Sequence, residues 1–151
     1  MENDEYVKLY FSHNAFEDES YESAWALKKG DYYQLDNVLF YAKEYSCGDI
    51  LKAEERDGLL YAKEIVAESG NSTIRILISD SACVEQVRAD LLALGCSSEL
   101  SNIGNLISVD IPDGISYAKV KKFLDAGEIN RLWEYEEACI AKRHHEEMDG
   151  G

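Results

Sequence analysis

Ser72-Thr73-Ile74-Arg75-Ile76-Leu77-Ile78-Ser79, followed by Asp80-Ser81 and the run Val84 to Leu94, decides how the second half of this chain folds. Ile74, Ile76 and Ile78 alternate onto one face, the period-two pattern of a half-buried strand. Asp80 or Ser81 can then cap a helix, because a side-chain oxygen accepts an amide proton that the first turn leaves unpaired. Val84, Val87, Leu91, Leu92 and Leu94 keep helical spacing, and Gly95 stands where a helix ends in a left-handed residue. Strand, cap, helix and stop are all present.

Working toward the C-terminus, short strands are expected near Ser98–Ser101 and Leu106–Ile111, with Asn102-Ile103-Gly104-Asn105 between them. Pro112-Asp113-Gly114 turns the chain into a helical region from about Ser116. Gly127 is expected to break that region, leaving Ile129–Lys142 as a final helix and 143–151 as a frayed tail. The order strand-helix-strand-strand-helix predicts a ferredoxin-like layer, with helices on one face of an antiparallel sheet.

Working toward the N-terminus, the rhythm shortens. Tyr6-Val7-Lys8-Leu9-Tyr10-Phe11 alternates, and Tyr21 to Lys28 reads as extended. Gly30-Asp31 suits a hairpin turn, Asp36-Asn37 a second turn, and Arg56-Asp57-Gly58 a third between strands at Ile50–Glu54 and Leu59–Glu68. An antiparallel meander or small barrel follows. The whole predicts a single compact α+β domain over 1–142, with subdomains of about 6–70 and 71–142.

The chain has 151 residues, 46% of them hydrophobic and 30% charged, which suits a globular domain with a real core. Thirty acids against fifteen bases give a formal charge of −15. The excess is spread along the chain: residues 1–71 hold sixteen acids and seven bases. Such a field repels nucleic-acid phosphate and anionic lipid and attracts basic partners. Direct nucleic-acid binding is disfavoured. The acidic start and the lack of a long apolar run predict neither signal peptide nor membrane span, hence a cytoplasmic protein. Cys47, Cys83, Cys96 and Cys139 are widely spaced and read as free thiols.

Trp25, Leu35-Asp36-Asn37, Phe40-Tyr41-Ala42, Gly48-Asp49, Gly70-Asn71-Ser72-Thr73-Ile74-Arg75, Leu94-Gly95-Cys96, Asp110-Ile111-Pro112 and Trp133-Glu134-Tyr135-Glu136-Glu137 stand in a telling order and spacing. From about Glu22 to Ile140 the chain resembles a small bacterial family, domain of unknown function 4265. The resemblance implies a soluble bacterial protein and brings no catalytic residues with it. That family often has histidine where this chain has Asn71, so no metal or acid–base role carries over to that position.

The residues themselves point to no catalytic apparatus. There is no G-x-S-x-G, no Walker A and no G-x-G-x-x-G, and no cofactor is expected. His144 and His145 are adjacent, which does not put both on one helix face, so no metal site is expected. Glu136 falls inside the apolar stripe Ile129, Leu132, Trp133 and Ile140 of the expected last helix. A carboxylate there needs a cation, and Arg75 is the candidate partner. An ion pair fixing the helix on the sheet is expected, with a ligand contact as the alternative.

The acidic clusters Glu17-Asp18-Glu19, Glu22 and Glu54-Glu55-(Arg56)-Asp57 interleave with Tyr21, Tyr32 and Tyr33. Charge speeds encounter with a basic protein, and the rings supply hot spots. The expectation is a non-enzymatic inhibitor of immunity type, neutralising a basic, nuclease-type toxin. The alternative is a regulatory small-ligand module with a pocket near Trp25 and Trp133. An undescribed enzyme would need Arg75, Asp110 and Glu136 to converge.

Overall fold

The structure, a computed structural model, describes residues 5–13 and 20–149, the last without its side chain. The chain divides between Ser69 and Gly70 into two compact units, each with its own apolar core.

The first unit is a closed five-stranded barrel: β1 (Tyr6–His13), β2 (Ser20–Lys29), β3 (Tyr32–Leu35), β4 (Ile50–Arg56) and β5 (Leu59–Ala67). Successive strands pair antiparallel, and β1 closes on β5 in parallel through Leu9 opposite Leu60 and Tyr10 opposite Tyr61. Leu9, Phe11, Ala24, Ala26, Leu35 and Leu51 point inward and fill it. At the β4–β5 turn, Asp57 and Gly58 both take positive φ, 53° and 83°, as a tight hairpin of this hand demands. Closure removes the open edges that a meander would leave for aggregation.

Residues 36–49 form a loop held by side-chain acceptors. Asn37 Oδ1 accepts from Trp25 N at 2.5 Å, and the Glu22 carboxylate accepts from the amides of Phe40, Tyr41 and Ala42 at 2.6, 2.9 and 3.1 Å. Asp49 accepts from Ser46 N and Ser69 N at 2.9 and 2.8 Å. A loop with so few ladder bonds must satisfy its amides this way.

The second unit runs β6 (Ser72–Ile78), a 3-10 turn (Ser81–Cys83), α1 (Val84–Ala93), β7 (Ser97–Leu100), β8 (Leu106–Ile111), α2 (Tyr117–Ile129), β9 (Trp133–Cys139) and α3 (Lys142–Asp149). Its antiparallel sheet has the order β7-β8-β6-β9, a ferredoxin-like arrangement completed by β9. Asp80 caps the 3-10 turn by accepting from Ala82 N at 3.0 Å. Ile74, Ile76, Ile78, Ile107, Val109 and Ile111 pack with Val87 and Leu91 of α1 and Val120 and Leu124 of α2.

Three expectations are corrected. The segment read as a final helix, Ile129–Lys142, is mostly strand: α2 stops at Ile129, Arg131 turns the chain at φ 61°, and β9 pairs with β6. Gly127 does not break α2. It lies inside it, because the Trp133 ring occupies the space where a Cβ would be, 1.9 Å from Cζ2. The tail expected to fray is the helix α3 through Asp149.

Candidate functional site

The barrel's outward residues form an aromatic patch. The register that turns Leu9 and Phe11 inward turns Lys8 and Tyr10 outward, and it sets Lys8 opposite Trp25 and Ser12 opposite Tyr21. Tyr61, outward on β5, meets Tyr10 at 5.8 Å and Tyr21 at 5.3 Å between ring centroids. Arg56 stacks over the Tyr61 ring at 4.0 Å, and Lys8 lies over the Trp25 ring at 5.1 Å. Tyr21 and Trp25 remain 46% and 48% exposed, a large apolar area left in water.

The residues expected to meet a partner divide. Tyr21 belongs to this patch, and Glu54, opposite Tyr61 in the ladder, sits beside it with Lys63 at 3.5 Å. Glu55 and Asp57 are exposed at the adjoining hairpin. Tyr32 is exposed on β3, which β4 separates from β5, and Tyr33 turns inward against the barrel core. Glu22 is committed to its own loop. Glu17, Asp18 and Glu19 lie outside the described residues.

In the second unit, the sheet face opposite the isoleucines is polar. Thr73 and Arg75 of β6, Ser108 and Asp110 of β8, and Glu136 of β9 share it by register. Arg75 Nη2 lies 2.5 Å from Glu136 Oε1. Arg75 and Asp110 are only 6% and 8% exposed, and Arg75 Nε and Asp110 Oδ1 are buried without a hydrogen-bond partner. Burial pushes the Asp110 carboxyl up to about 6, against a hydrogen bond from Asn71 that lowers it. The three residues an enzyme would need are thus on one face, in one ladder neighbourhood.

Two tempting features have structural explanations. Trp133 is core: its Nε1 donates to the Leu124 carbonyl at 2.9 Å and its ring packs on Phe123. Ser72 and His144 form a serine–histidine contact, Oγ to Nδ1 at 2.5 Å, yet Ser72 is fully buried and so is no nucleophile for a substrate. None of the four cysteines is in a disulfide, and burial pushes the Cys96 thiol up to about 11. Among the described residues no group of three His, Cys, Asp or Glu side chains could hold a metal ion. No described helix is long and apolar enough to cross a membrane.

The family model described as domain of unknown function DUF4265 matches residues 22–135. This chain belongs to the DUF4265 family. The fold is similar to a crystal structure described as that of a hypothetical protein from Neisseria gonorrhoeae, with a TM-score of 0.79 at 21% identity. That likeness covers 93% of this chain and 99% of the other. Comparison with curated proteins gives no match.

Several motif residues of this DUF4265 chain have structural duties. Asn37, Phe40-Tyr41-Ala42 and Asp49 tie the loop to the barrel, and Trp133 fills the second core. Sequence reasoning passed over Tyr10, Tyr61, Lys8 and Arg56. Their signal was the alternation of Tyr10 with Leu9 and Phe11, and of Tyr61 with Leu60 and Ala62, which marks outward positions.

Proposed function

We propose that this chain is a non-enzymatic protein-binding domain, an inhibitor of immunity type that occupies a basic protein, with a nuclease-type toxin as the specific partner class. The observation that carries the reading is the outward cluster of exposed Tyr21 and Trp25 with half-buried Tyr10 and Tyr61, on a unit holding sixteen acids and seven bases. Tyrosine and tryptophan bury large areas at low entropic cost and recur as hot spots. A negative field around them steers a basic partner inward and stands in for the phosphate that a nuclease would otherwise bind. The test is an affinity pull-down of tagged protein from its native lysate at low and moderate salt, read by mass spectrometry. A stoichiometric basic protein supports the reading; acidic partners alone, or none, count against it.

A second reading, a regulatory small-ligand module, draws on the buried polar atoms of Arg75 and Asp110 that find no partner. It predicts a metabolite-induced rise in melting temperature that is insensitive to salt and abolished by Arg75→Met.

A further inference from the structure

Helix α3 has the sequence Lys-Arg-His-His-Glu-Glu-Met-Asp, so almost nothing apolar holds it down. Eight residues are too few for a helix to persist alone in water. What docks it is polar. His144, 1% exposed, sets its ring edge-on to Tyr117 at 5.7 Å, with Nδ1 on Ser72 Oγ. Glu147 reaches the start of α2, where it accepts from Ser116 Oγ at 2.5 Å and Tyr117 N at 2.8 Å. Ser116 makes no side-chain cap of its own, so α3 supplies the N-cap that α2 lacks. Arg143 adds an exposed contact to Asp113 at 3.4 Å, worth little by itself.

The hydrogen bonds around His144 favour Nδ1 as an acceptor. Ser72 Oγ accepts from Ala141 N at 2.8 Å, which leaves its own proton to be donated to Nδ1. A proton on Nδ1 would oppose that donor, force Ser72 to accept twice, and strand a hydroxyl proton in a site with no solvent. It would also place charge against direct contacts, Ser72 and Tyr117, that are neutral. From β6 the contact is the neutral Ser72; from α2 it is Tyr117, whose hydroxyl is bound to Glu137 of β9. The described charged side chains on α3 itself are the exposed Lys142, Arg143, His145 and Glu146, and Glu147, which caps α2 and also interacts with His144 through its charge. Nε2 is buried without a partner as well.

We propose that α3 is a latch, released when His144 takes up a proton, and that its release uncaps α2. Undocking is expected on mild acidification, the range in which imidazole is the side chain that changes charge. Glu147 does not blur this window, because the Ser116 hydroxyl and the Tyr117 amide hold its carboxyl below the usual range. The cap itself therefore survives mild acid unless α3 leaves.

Hydrogen exchange of residues 142–149 and 117–120, corrected for the intrinsic pH dependence, tests the latch. Protection there should fall about tenfold or more from pH 7.5 to 5.5 while β6 and β8 stay protected. His144→Phe, which cannot take a proton, should remove that fall. Unchanged protection in the wild type, or an equal fall in the variant, overturns the proposal. If Phe fails to seat α3 at any pH, the His144 imidazole resonance of the wild type decides. Titration together with loss of α3 protection supports the latch; titration with α3 still protected overturns it.

Discussion

Arg75 and Glu136 face each other across the β6–β9 ladder, with Arg75 Nη2 2.5 Å from Glu136 Oε1. Their environments differ: Arg75 is buried, whereas Glu136 is half-exposed. Removing the carboxylate strands a buried cation, while removing the guanidinium leaves an acid that water can solvate. Glu136→Gln should therefore cost roughly 1 to 3 kcal/mol in urea unfolding, discounted for its exposure, and Arg75→Met less. The double variant should be more stable than Glu136→Gln alone. Equal and additive losses would contradict this.

Asp110 gives the pH dependence a definite sign. Burial raises its carboxyl to about 6 from 3.8, so the folded state binds that proton more tightly than the unfolded chain does. Its stabilising contribution is complete below the unfolded value and is lost as pH rises through about 6. Asp110→Asn should raise stability at pH 7 by roughly 1 to 3 kcal/mol and flatten the stability profile between about pH 4 and 6. Thermal melts at half-unit pH steps would show it.

Glu22 anchors the 36–49 loop through three backbone amides. Glu22→Ala leaves those donors without their acceptor, and hydrogen bonds to a charged group are worth about 1.5 to 3 kcal/mol each before water compensates. A loss of roughly 2 kcal/mol, with faster exchange at Phe40, Tyr41 and Ala42, is expected. Slow exchange at those amides in the variant would refute the anchoring role.

Gly127→Ala places a methyl 1.9 Å from Trp133 Cζ2, closer than any packing allows. The ring or the helix must move, at a cost of roughly 3 kcal/mol or more. A variant as stable as the wild type would mean that Trp133 repacks freely.

How far the fold could be read from sequence depends on how local its signals are. The β6 alternation, the cap at Asp80, the α1 spacing and Gly95 agree with one another, and the elements fall where they predict. The meander was legible from its turns and a small barrel was one of the two forms expected; the parallel β1–β5 pairing that decides between them leaves no local mark. The segment Trp133–Cys139 misled because Glu134, Glu136, Glu137 and Ala138 favour helix, while pairing with β6 and burial of Trp133 favour strand. Tertiary pairing overrode propensity. Arg75 was paired with Glu136 for the wrong element; opposite charges seeking each other hold in either geometry. α3 escaped notice because its docking is polar and depends on Ser72, some seventy residues earlier, through a contact that spans 72 positions.

The aromatic patch of the barrel is the centre of the functional account. The most direct test runs the low- and moderate-salt pull-down in parallel with wild-type protein and a Tyr21→Ala/Trp25→Ala variant. Both residues are exposed and absent from the barrel core, so folding should survive, as a thermal melt can verify. The account predicts a stoichiometric basic protein on the wild type, retained in moderate salt and reduced tenfold or more on the variant, about 1.4 kcal/mol or more of binding energy. No basic partner, or one held equally by both proteins, would contradict it.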